Sequence, residues 1–290
     1  MKIGFIGLGL MGTRMANNLL DKNYELAVFN RTKEKAEPLL KKGAVSAETP
    51  AEVGQNSDLV ITMLADPDAV SKVAFGESGF LYQMEQKSIW IDCSTVNPKT
   101  SLENAEKANG MNIRFIDAPV AGTILPAEKG ELTFFVGGDK KDVDEVRPVL
   151  EVMGKKIIHL GPNGKGTSMK MVVNVVLGQA MLAFSEAMVL GESLGFSKDI
   201  LFEALIGGPV TAPFIKGKKE KISKNKFDTE FPLQLMYKDF QLASQTAYEN
   251  NVALPSANVA KEIYALAKKF GLGDKDFSAI YQYLSNTIKE

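Results

Sequence analysis

The stretch NGKGTSMKMVVNVVLGQAMLAFSEAMVLG, residues 163–191, decides how this chain is organised. It opens in a glycine-rich turn and then runs without proline and with few charges, which predicts one long helix. Apolar side chains occupy nearly every face of this helix, so we expect it to be buried on most sides. Its apolar part, residues 171–184, is shorter than the roughly 20 residues that a membrane span needs.

Two polar side chains interrupt this helix. Lys170 and Asn174 are four residues apart, which places them on one helical face. An amine and an amide are costly to bury unless a polar group meets them. We expect the pair to line an active site between two domains, with Lys170 as its proton donor. The alternative is that Lys170 extends to water and that Asn174 is a hydrogen-bonded core amide.

The composition excludes several classes of function. The chain has 290 residues, enough for two domains, and 34 Lys and Arg against 35 Asp and Glu, so no charge excess favours nucleic acid or membrane as a partner. With one cysteine and one histidine, it lacks the ligands for a Cys- or His-based metal site and the pairs for a disulfide framework. We expect Cys93 to be a small buried side chain and His159 to be structural. The N-terminus lacks a signal-peptide pattern, which favours a cytoplasmic protein.

A short apolar run at residues 2–6 precedes the hexapeptide GLGLMG, and a helical pattern follows it. In the order strand, G-x-G-x-x-G, helix, the three glycines allow a tight turn, close approach of a pyrophosphate and close helix packing. The helix N-terminus then faces the phosphates. The sequence therefore predicts a dinucleotide site. Its residues are Gly7, Leu8, Gly9, Leu10, Met11 and Gly12.

The second predicted strand, residues 25–29, ends in Asn30, Arg31 and Thr32. An NAD site usually has a carboxylate here for the ribose hydroxyls, and residues 29–32 contain none. Arg31 can bind a 2′-phosphate through paired hydrogen bonds, and Lys35 follows one turn later. We therefore predict NADP(H) as the cofactor. The alternative is that Arg31 only caps a solvated turn.

Continuous apolar runs at residues 58–64, 88–92 and 113–117 predict further strands of a buried parallel sheet. Ligands bind beyond the carboxyl ends of such strands, so Met63–Ala65 and Ser94–Val96 are expected on the cofactor side. The small-residue loop 118–123 could hold a substrate carboxylate through its backbone amides. Residues 132–136, 141–152 and 156–160 complete this domain as strand, helix and strand.

The rest of the chain is predicted to be helical, with Gly and Pro at the helix ends. The predicted helices are 198–206, 213–223, 232–250, 256–270 and 276–286. The lysine run 216–226 is expected to be a solvated surface. The predicted fold class is an α/β N-terminal Rossmann domain (1–162) and an all-α C-terminal domain (192–290), joined by a long interdomain helix (163–191).

The ordered motifs of the chain are GFIGLGLMG at 4–12, NRT at 30–32, DCSTV at 92–96, DAPVAGT at 117–123, GELTFFVGG at 130–138, GPNGKGTSMKMVVN at 161–174, FPLQLMYKD at 231–239 and GLGDKDFSA at 271–279. Together they resemble the β-hydroxyacid dehydrogenase family, to which 3-hydroxyisobutyrate dehydrogenase belongs. The NRT, FPL and GLGD segments look most like its NADPH-dependent glyoxylate/succinic semialdehyde reductase branch. The resemblance covers essentially the whole chain.

The resemblance implies roles for individual residues. The catalytic pair is Lys170 and Asn174. The resemblance adds Thr95, Phe231 and Lys238 to the cofactor residues, which also include Met63, Leu64 and Ala65 from their place after a predicted strand. The substrate residues are Ser94, Thr95, Ala121, Gly122, Thr123, Lys170, Asn174 and Asp239. The chain departs from the family at Ala121, where a serine is usual, so one hydroxyl donor to the substrate is lost.

The implied reaction is the NADPH-dependent reduction of a small aldehyde or oxo acid that bears a carboxylate, such as glyoxylate or succinic semialdehyde. Desolvation would lower the pKa of Lys170 toward the working range. Four alternatives stay open: 3-hydroxyisobutyrate dehydrogenase or tartronate semialdehyde reductase activity, an imine reductase, a catalytically idle NADP-binding protein, and a decarboxylating enzyme of the 6-phosphogluconate type. The resemblance also implies a homodimer or homotetramer.

Overall fold

The structure, a computed structural model, describes residues 1–287. It divides into two compact units, Met1–Lys170 and a second that starts at Met171. The division falls inside the long helix, which therefore contributes residues to both units. The predicted C-terminal domain runs to residue 290, and its last three residues lie outside the described part of the chain.

The first unit alternates strands and helices. Its strands are β1 (Lys2–Ile6), β2 (Glu25–Phe29), β3 (Val45–Ser46), β4 (Leu59–Thr62), β5 (Ile89–Asp92), β6 (Arg114–Asp117), β7 (Val120–Ala121), β8 (Leu132–Val136) and β9 (Gly154–His159). Its helices are α1 (Gly12–Asp21), α2 (Glu37–Leu40), α3 (Pro50–Gln55), α4 (Pro67–Phe75), α5 (Pro98–Gly110), α6 (Ile124–Glu128) and α7 (Lys140–Met153).

Six of these strands form one parallel sheet in the order β3-β2-β1-β4-β5-β6. Helices cover both of its faces, so alternate residues of one strand enter different cores: Ile3 and Phe5 pack on one side and Ile6 on the other. The predicted Rossmann architecture is confirmed. The sequence did not predict a second sheet, in the order β7-β8-β9, in which β8 and β9 run parallel and β7 runs antiparallel to β8.

The helical part of the chain begins with α8 (Lys165–Ser193). It continues with α9 (Lys198–Leu205), α10 (Lys219–Ser223), α11 (Leu233–Glu249), α12 (Pro255–Ala267) and α13 (Ile280–Thr287). The long helix was predicted over 163–191 and begins two residues later, because Gly164 has a φ of 84° and still belongs to the turn. The predicted helix 213–223 is divided into a 3-10 segment, Pro213–Lys218, and α10.

The second unit packs around the middle of α8. Met181 and Met188 are fully buried there with Phe240 of α11 and Tyr264 of α12. Gly178 allows this contact, since a Cβ at that position would lie 2.4 Å from Cε2 of Phe240. By length and composition alone α8 would also suit a membrane crossing, with a mean hydropathy of 1.6 over 18 residues, of which 44% are buried. A core helix passes the same test, and we keep the core interpretation as a prediction.

The expectation that the lysine run 216–226 is a solvated surface is wrong for one of its members. Lys218 is only 4% exposed. Its Nζ lies 2.9 Å from Oε2 of Glu230 and 3.0 Å from Oδ2 of Asp276, and 5.1 Å from the ring centre of Phe277. Two carboxylates and an aromatic face therefore replace water around this ammonium group.

Candidate active site

The glycine-rich loop between β1 and α1 has a different requirement at each glycine. Gly7 has a φ of 102°, and a Cβ there would lie 2.3 Å from the backbone oxygen of Met63. A Cβ on Gly12 would lie 1.9 Å from the backbone oxygen of Gly7, whereas one on Gly9 would meet no atom within 4 Å. The first turn of α1 contains no acidic residue. The loop thus combines a tight turn, an open middle and a helix N-terminus that suits an anion.

Because the side of Gly9 is open in the protein, Gly9→Ala separates cofactor binding from folding. We expect the variant to keep the melting temperature of the wild type. Its Kd for NADPH should rise about tenfold to hundredfold, since one methyl group in the path of the pyrophosphate costs about 1–3 kcal/mol. Fluorescence titration with NADPH measures this change. An unchanged Kd would show that no phosphate approaches the backbone at Gly9.

Asn30 links the glycine-rich loop to the end of β2. Its Oδ1 accepts a hydrogen bond from the backbone nitrogen of Leu8 at 2.8 Å, and its Nδ2 donates to the backbone oxygen of Thr32 at 2.8 Å. Arg31 and Lys35 are exposed on this turn, while Lys33 forms an ion pair with Glu48. The side chain of Asn30 thus serves the loop itself, and two cations beside it face solvent.

A buried hydrogen-bond network joins the ends of β4 and β5. Oδ1 of Asp92 accepts bonds from Oγ1 of Thr62 at 2.8 Å and from the backbone nitrogen of Ser94 at 3.1 Å. Oγ of Ser94 accepts from the backbone nitrogen of Leu64 at 2.9 Å, and Nε1 of Trp90 donates to Thr62 at 2.9 Å. Ser94, a predicted substrate residue, is 1% exposed and holds the two loops together.

Asp92 has an unusual ionisation in this network. Burial raises the pKa of Asp92 from 3.8 to about 6, although hydrogen bonds from Ser94 and Thr62 lower it. Its Oδ2 is buried and has no hydrogen-bond partner among the described residues. The carboxylate therefore destabilises the fold at neutral pH, because an ionised group is buried with one oxygen unsatisfied.

Asp92→Asn should therefore change the pH dependence of stability. An acid whose folded pKa is raised contributes stability that is fully present below pH 3.8 and is lost as the pH rises through 6. The amide of asparagine does not ionise, so the variant does not lose this stability as the pH rises. Relative to the wild type, its free energy of unfolding should therefore increase by up to about 3 kcal/mol between pH 4 and pH 7. Urea unfolding of both proteins at several pH values gives the difference. A difference that does not vary with pH would contradict the raised pKa.

Asp117, at the end of β6, anchors the start of α8. Its Oδ1 accepts a bond from the backbone nitrogen of Gly164 at 2.8 Å, and its Oδ2 accepts from the backbone nitrogen and Oγ1 of Thr167 at 2.9 and 2.8 Å. Oγ of Ser101 lies 2.7 Å from Oγ1 of Thr167. Burial raises the pKa of Asp117, against these hydrogen bonds. The anchor fixes the helical turn that immediately precedes Lys170.

The loop proposed for the substrate carboxylate lies between β7 and α6. Ala121 and Thr123 are half-buried, and Gly122 between them is exposed with a φ of 123°. Thr123 precedes α6, yet its hydroxyl does not cap that helix. Without the family serine at position 121, the polar groups of this loop are its backbone amides and the hydroxyl of Thr123.

Lys170 and Asn174, the pair predicted to be catalytic, both lie on α8. Lys170 is half-buried and Asn174 is 2% exposed one turn later. Within the second unit, Nδ2 of Asn174 donates to Oδ2 of Asp239 at 2.6 Å, and Oδ1 of Asp239 lies 3.1 Å from Nζ of Lys238. This last contact is an ion pair, and Oδ1 of Asp239 has no hydrogen-bond partner among the described residues. Three of the predicted site residues, Asn174, Lys238 and Asp239, thus form one cluster.

Phe231, predicted to pack near the nicotinamide, is half-buried just before α11. Its backbone nitrogen donates to Oδ2 of Asp276 at 3.2 Å, and its ring centre lies 5.6 Å from that of Phe277. Lys218 binds the same carboxylate oxygen at 3.0 Å. The buried Lys218–Asp276 pair therefore fixes the segment that carries Phe231.

Asp92 and Asp117 were not among the site residues predicted from the sequence. Each is the last residue of a strand in the parallel sheet, and the two are paired in register across β5 and β6. A signal was present, since both strands end in Ile-Asp directly before a loop on the expected cofactor side. An aspartate at the end of an otherwise apolar strand has to find partners nearby, which makes it a candidate loop anchor.

Comparisons with known proteins match both parts of the chain. The NAD-binding domain of 6-phosphogluconate dehydrogenase matches residues 2–161, and the NAD-binding region of NADP-dependent 3-hydroxyisobutyrate dehydrogenase matches residues 164–284. Two proteins of Arabidopsis thaliana are similar to this chain. Glyoxylate/succinic semialdehyde reductase 1 is 41% identical, over 97% of this chain and 98% of the relative. Glyoxylate/succinic semialdehyde reductase 2, chloroplastic, is 37% identical, over 98% of this chain and 79% of the relative. The solved structure of Mycobacterium tuberculosis 3-hydroxyisobutyrate dehydrogenase with L-serine has a TM-score of 0.87 at 30% identity and covers 98% of both chains.

Proposed function

The chain belongs to the β-hydroxyacid dehydrogenase family and is an NAD(P)-dependent oxidoreductase, and from that premise we propose that it reduces a small aldehyde or oxo acid that bears a carboxylate. NADPH is the proposed cofactor, and glyoxylate and succinic semialdehyde are the proposed substrates. The similarity to the two Arabidopsis reductases supports this choice. 3-Hydroxyisobutyrate and tartronate semialdehyde remain the alternative substrates.

The residues at the carboxyl end of the large sheet fit a bound NADP(H). Gly9 leaves room for a pyrophosphate, and α1 begins without an acidic residue. Arg31 and Lys35 are exposed cations where a 2′-phosphate would lie, and no carboxylate is present at residues 29–32 to repel it. When bound, the cofactor supplies a hydride to the carbonyl carbon.

The observation that carries the proposal is the arrangement on α8, where a half-buried amine at Lys170 precedes a buried amide at Asn174 by one turn. As the carbonyl is reduced, its oxygen gains negative charge, which an ammonium group at Lys170 stabilises and then neutralises by giving up a proton. Asn174 lies one turn beyond Lys170 on the same helical face and orients the reacting group beside it. Thr123 and the backbone amides of residues 121–123 bind the carboxylate.

A panel of glyoxylate, succinic semialdehyde and tartronate semialdehyde, each with NADPH and NADH, and of 3-hydroxyisobutyrate with NADP+ and NAD+, tests the proposal. We expect the highest kcat/KM for glyoxylate or succinic semialdehyde with NADPH. Faster turnover of a cyclic imine than of any of these acids would favour an imine reductase. NADPH binding without turnover of any compound would favour a binding protein without catalysis.

We also propose that the protein self-associates as a homodimer or homotetramer and acts in the cytoplasm. Along α8 and directly after it, a row of apolar side chains is exposed on the single chain: Val172, Val176, Leu190 and Leu194. Burial of such a row in a second copy would remove it from water. Sedimentation velocity of the purified protein gives its oligomeric state.

A further inference from the structure

The contact between Asn174 and Asp239 joins two helices of the second unit and is fully removed from water. Both residues are 2% exposed, and the distance between Nδ2 of Asn174 and Oδ2 of Asp239 is 2.6 Å. Carboxylates accept hydrogen bonds and only the nitrogen of a carboxamide donates them. The carboxylate of Asp239 therefore determines which end of the Asn174 amide faces it.

Because Nδ2 of Asn174 faces Asp239, Oδ1 lies at the other end of the amide. Oδ1 of Asn174 is buried and has no hydrogen-bond partner among the described residues. A buried acceptor without a partner is costly, and a bound ligand, an ordered water or a catalytic role accounts for such an atom in a native protein. The group that completes Oδ1 has to be a hydrogen-bond donor.

Lys238 helps to maintain this orientation of the Asn174 amide. Its Nζ lies 3.1 Å from Oδ1 of Asp239, so the two oxygens of this carboxylate contact different partners. Carboxylate oxygens accept hydrogen bonds, and Oδ2 therefore binds the nitrogen of the Asn174 amide and not its oxygen. The cluster thus maintains one orientation of the Asn174 side chain.

We propose that Asp239 is a positioning residue for the reaction: it fixes the carboxamide of Asn174 by its Nδ2 and so presents Oδ1 to the hydroxyl of the hydroxy acid. This inference rests on the proposed function. The family resemblance places Asp239 at the substrate. We infer that Asp239 acts on the substrate indirectly, through Asn174. It also makes the pair selective, because a hydroxyl donates a hydrogen bond to Oδ1 and a carbonyl oxygen does not.

An exchange of the two side chains tests the inference. Asn174→Asp sets two carboxylates against each other and should lower kcat/KM about hundredfold or more. Asp239→Asn allows the amide of Asn174 to turn over and should lower it about tenfold. In the double variant, the amide at position 239 donates a hydrogen bond to one oxygen of the carboxylate at position 174. The other oxygen of that carboxylate can still accept a hydrogen bond from the ligand. We therefore expect the double variant to exceed Asn174→Asp alone by about tenfold.

The second readout is independent of turnover. The enzyme loaded with NADPH binds a hydroxy acid without reacting, so calorimetry with glycolate and 4-hydroxybutyrate gives its Kd. Asp239→Leu should weaken this binding about tenfold, while the KM for the corresponding aldehyde changes about twofold or less. Ser244→Ala is the matched control: it removes a 2.6 Å hydrogen bond to Asn258 from the same helix, α11, and should leave both values unchanged.

The outcomes separate the inference from the proposed function. If the wild type reduces none of the acids in the panel, the proposed function fails. If the wild type is active and the effects of Asn174→Asp and Asp239→Asn simply multiply in the double variant, the positioning role is wrong. If Asp239→Leu weakens the binding of hydroxy acid and aldehyde equally, the positioning role is also wrong. Oδ1 of Asn174 would then not distinguish a hydroxyl group from a carbonyl oxygen.

Discussion

Lys170→Met is expected to lower turnover by about 10³-fold or more while the Kd for NADPH stays within about twofold. Methionine keeps the length and the apolar stem of the side chain and removes the ammonium group. Without that group the developing oxyanion has neither a charge to stabilise it nor a proton to accept. The residues proposed for the phosphates of NADPH lie at the ends of β1 and β2 and on the loops beside them, so the affinity for NADPH should depend little on Lys170.

Lys165→Met is the matched control for this variant. Lys165 is an exposed lysine of the same helix, in its first turn, and has no proposed role in the reaction. Stopped-flow measurement of NADPH oxidation under single-turnover conditions compares the two variants with the wild type. Retention of wild-type rates in Lys170→Met, or equal losses in both variants, would remove Lys170 from the mechanism.

Arg31→Gln should raise the KM for NADPH about tenfold to hundredfold, the worth of paired hydrogen bonds between a guanidinium group and a phosphate. The KM for NADH should change little, because NADH has no 2′-phosphate. Asn30 keeps the turn in place through its bonds to Leu8 and Thr32, so the loss is expected in the cofactor contact and not in the fold.

Lys33→Met is the control for Arg31→Gln. Lys33 lies in the same turn and its ammonium group is already held by Glu48. Its removal should change the KM for NADPH about twofold or less, the small contribution of an exposed ion pair. A wild-type enzyme that prefers NADH, or equal effects of the two substitutions, would contradict the assignment of Arg31.

The large sheet could be predicted from the sequence because its central strands are continuous apolar runs, as burial on both faces of a parallel sheet demands. The edge strand β3 gave no such signal, since it has two residues and Val45 is 67% exposed. The second sheet was missed for a related reason. Its strand β7 consists of Val120 and Ala121, inside a run of small residues that was interpreted as a loop.

The tight turn after β1 and the shared helical face of Lys170 and Asn174 could be predicted because residue spacing alone determines their geometry. Glycines at positions 7, 9 and 12 specify a turn, and residues four apart on a helix share a face. The hydrogen-bond networks around them could not be predicted in this way. Asp92 binds Thr62 across 30 residues of chain and Asp117 binds Thr167 across 50, and no local pattern names such partners.

Lys218 shows the same limit in the second unit. Its neighbours in the sequence are lysines, glycine and serine, which predict a solvated surface. Its burial is decided by Asp276, which follows 58 residues later and binds it at 3.0 Å. Whether a charged side chain is buried or exposed depends on whether the fold places an opposite charge beside it. Such a contact is part of the tertiary structure and has no local sequence signal.

Chemical restoration of the amine tests the central claim, that Lys170 supplies the proton, most directly. Lys170→Cys should be nearly inactive, and alkylation with 2-bromoethylamine should rebuild an amine at the same position. The reaction is selective because the native cysteine, Cys93, is fully buried and burial raises the pKa of its thiol. We predict that NADPH-dependent reduction of glyoxylate or succinic semialdehyde returns in proportion to the cysteine modified. A fully alkylated protein that binds NADPH and stays inactive, or an unmodified Lys170→Cys that turns over at the wild-type rate, would contradict the account.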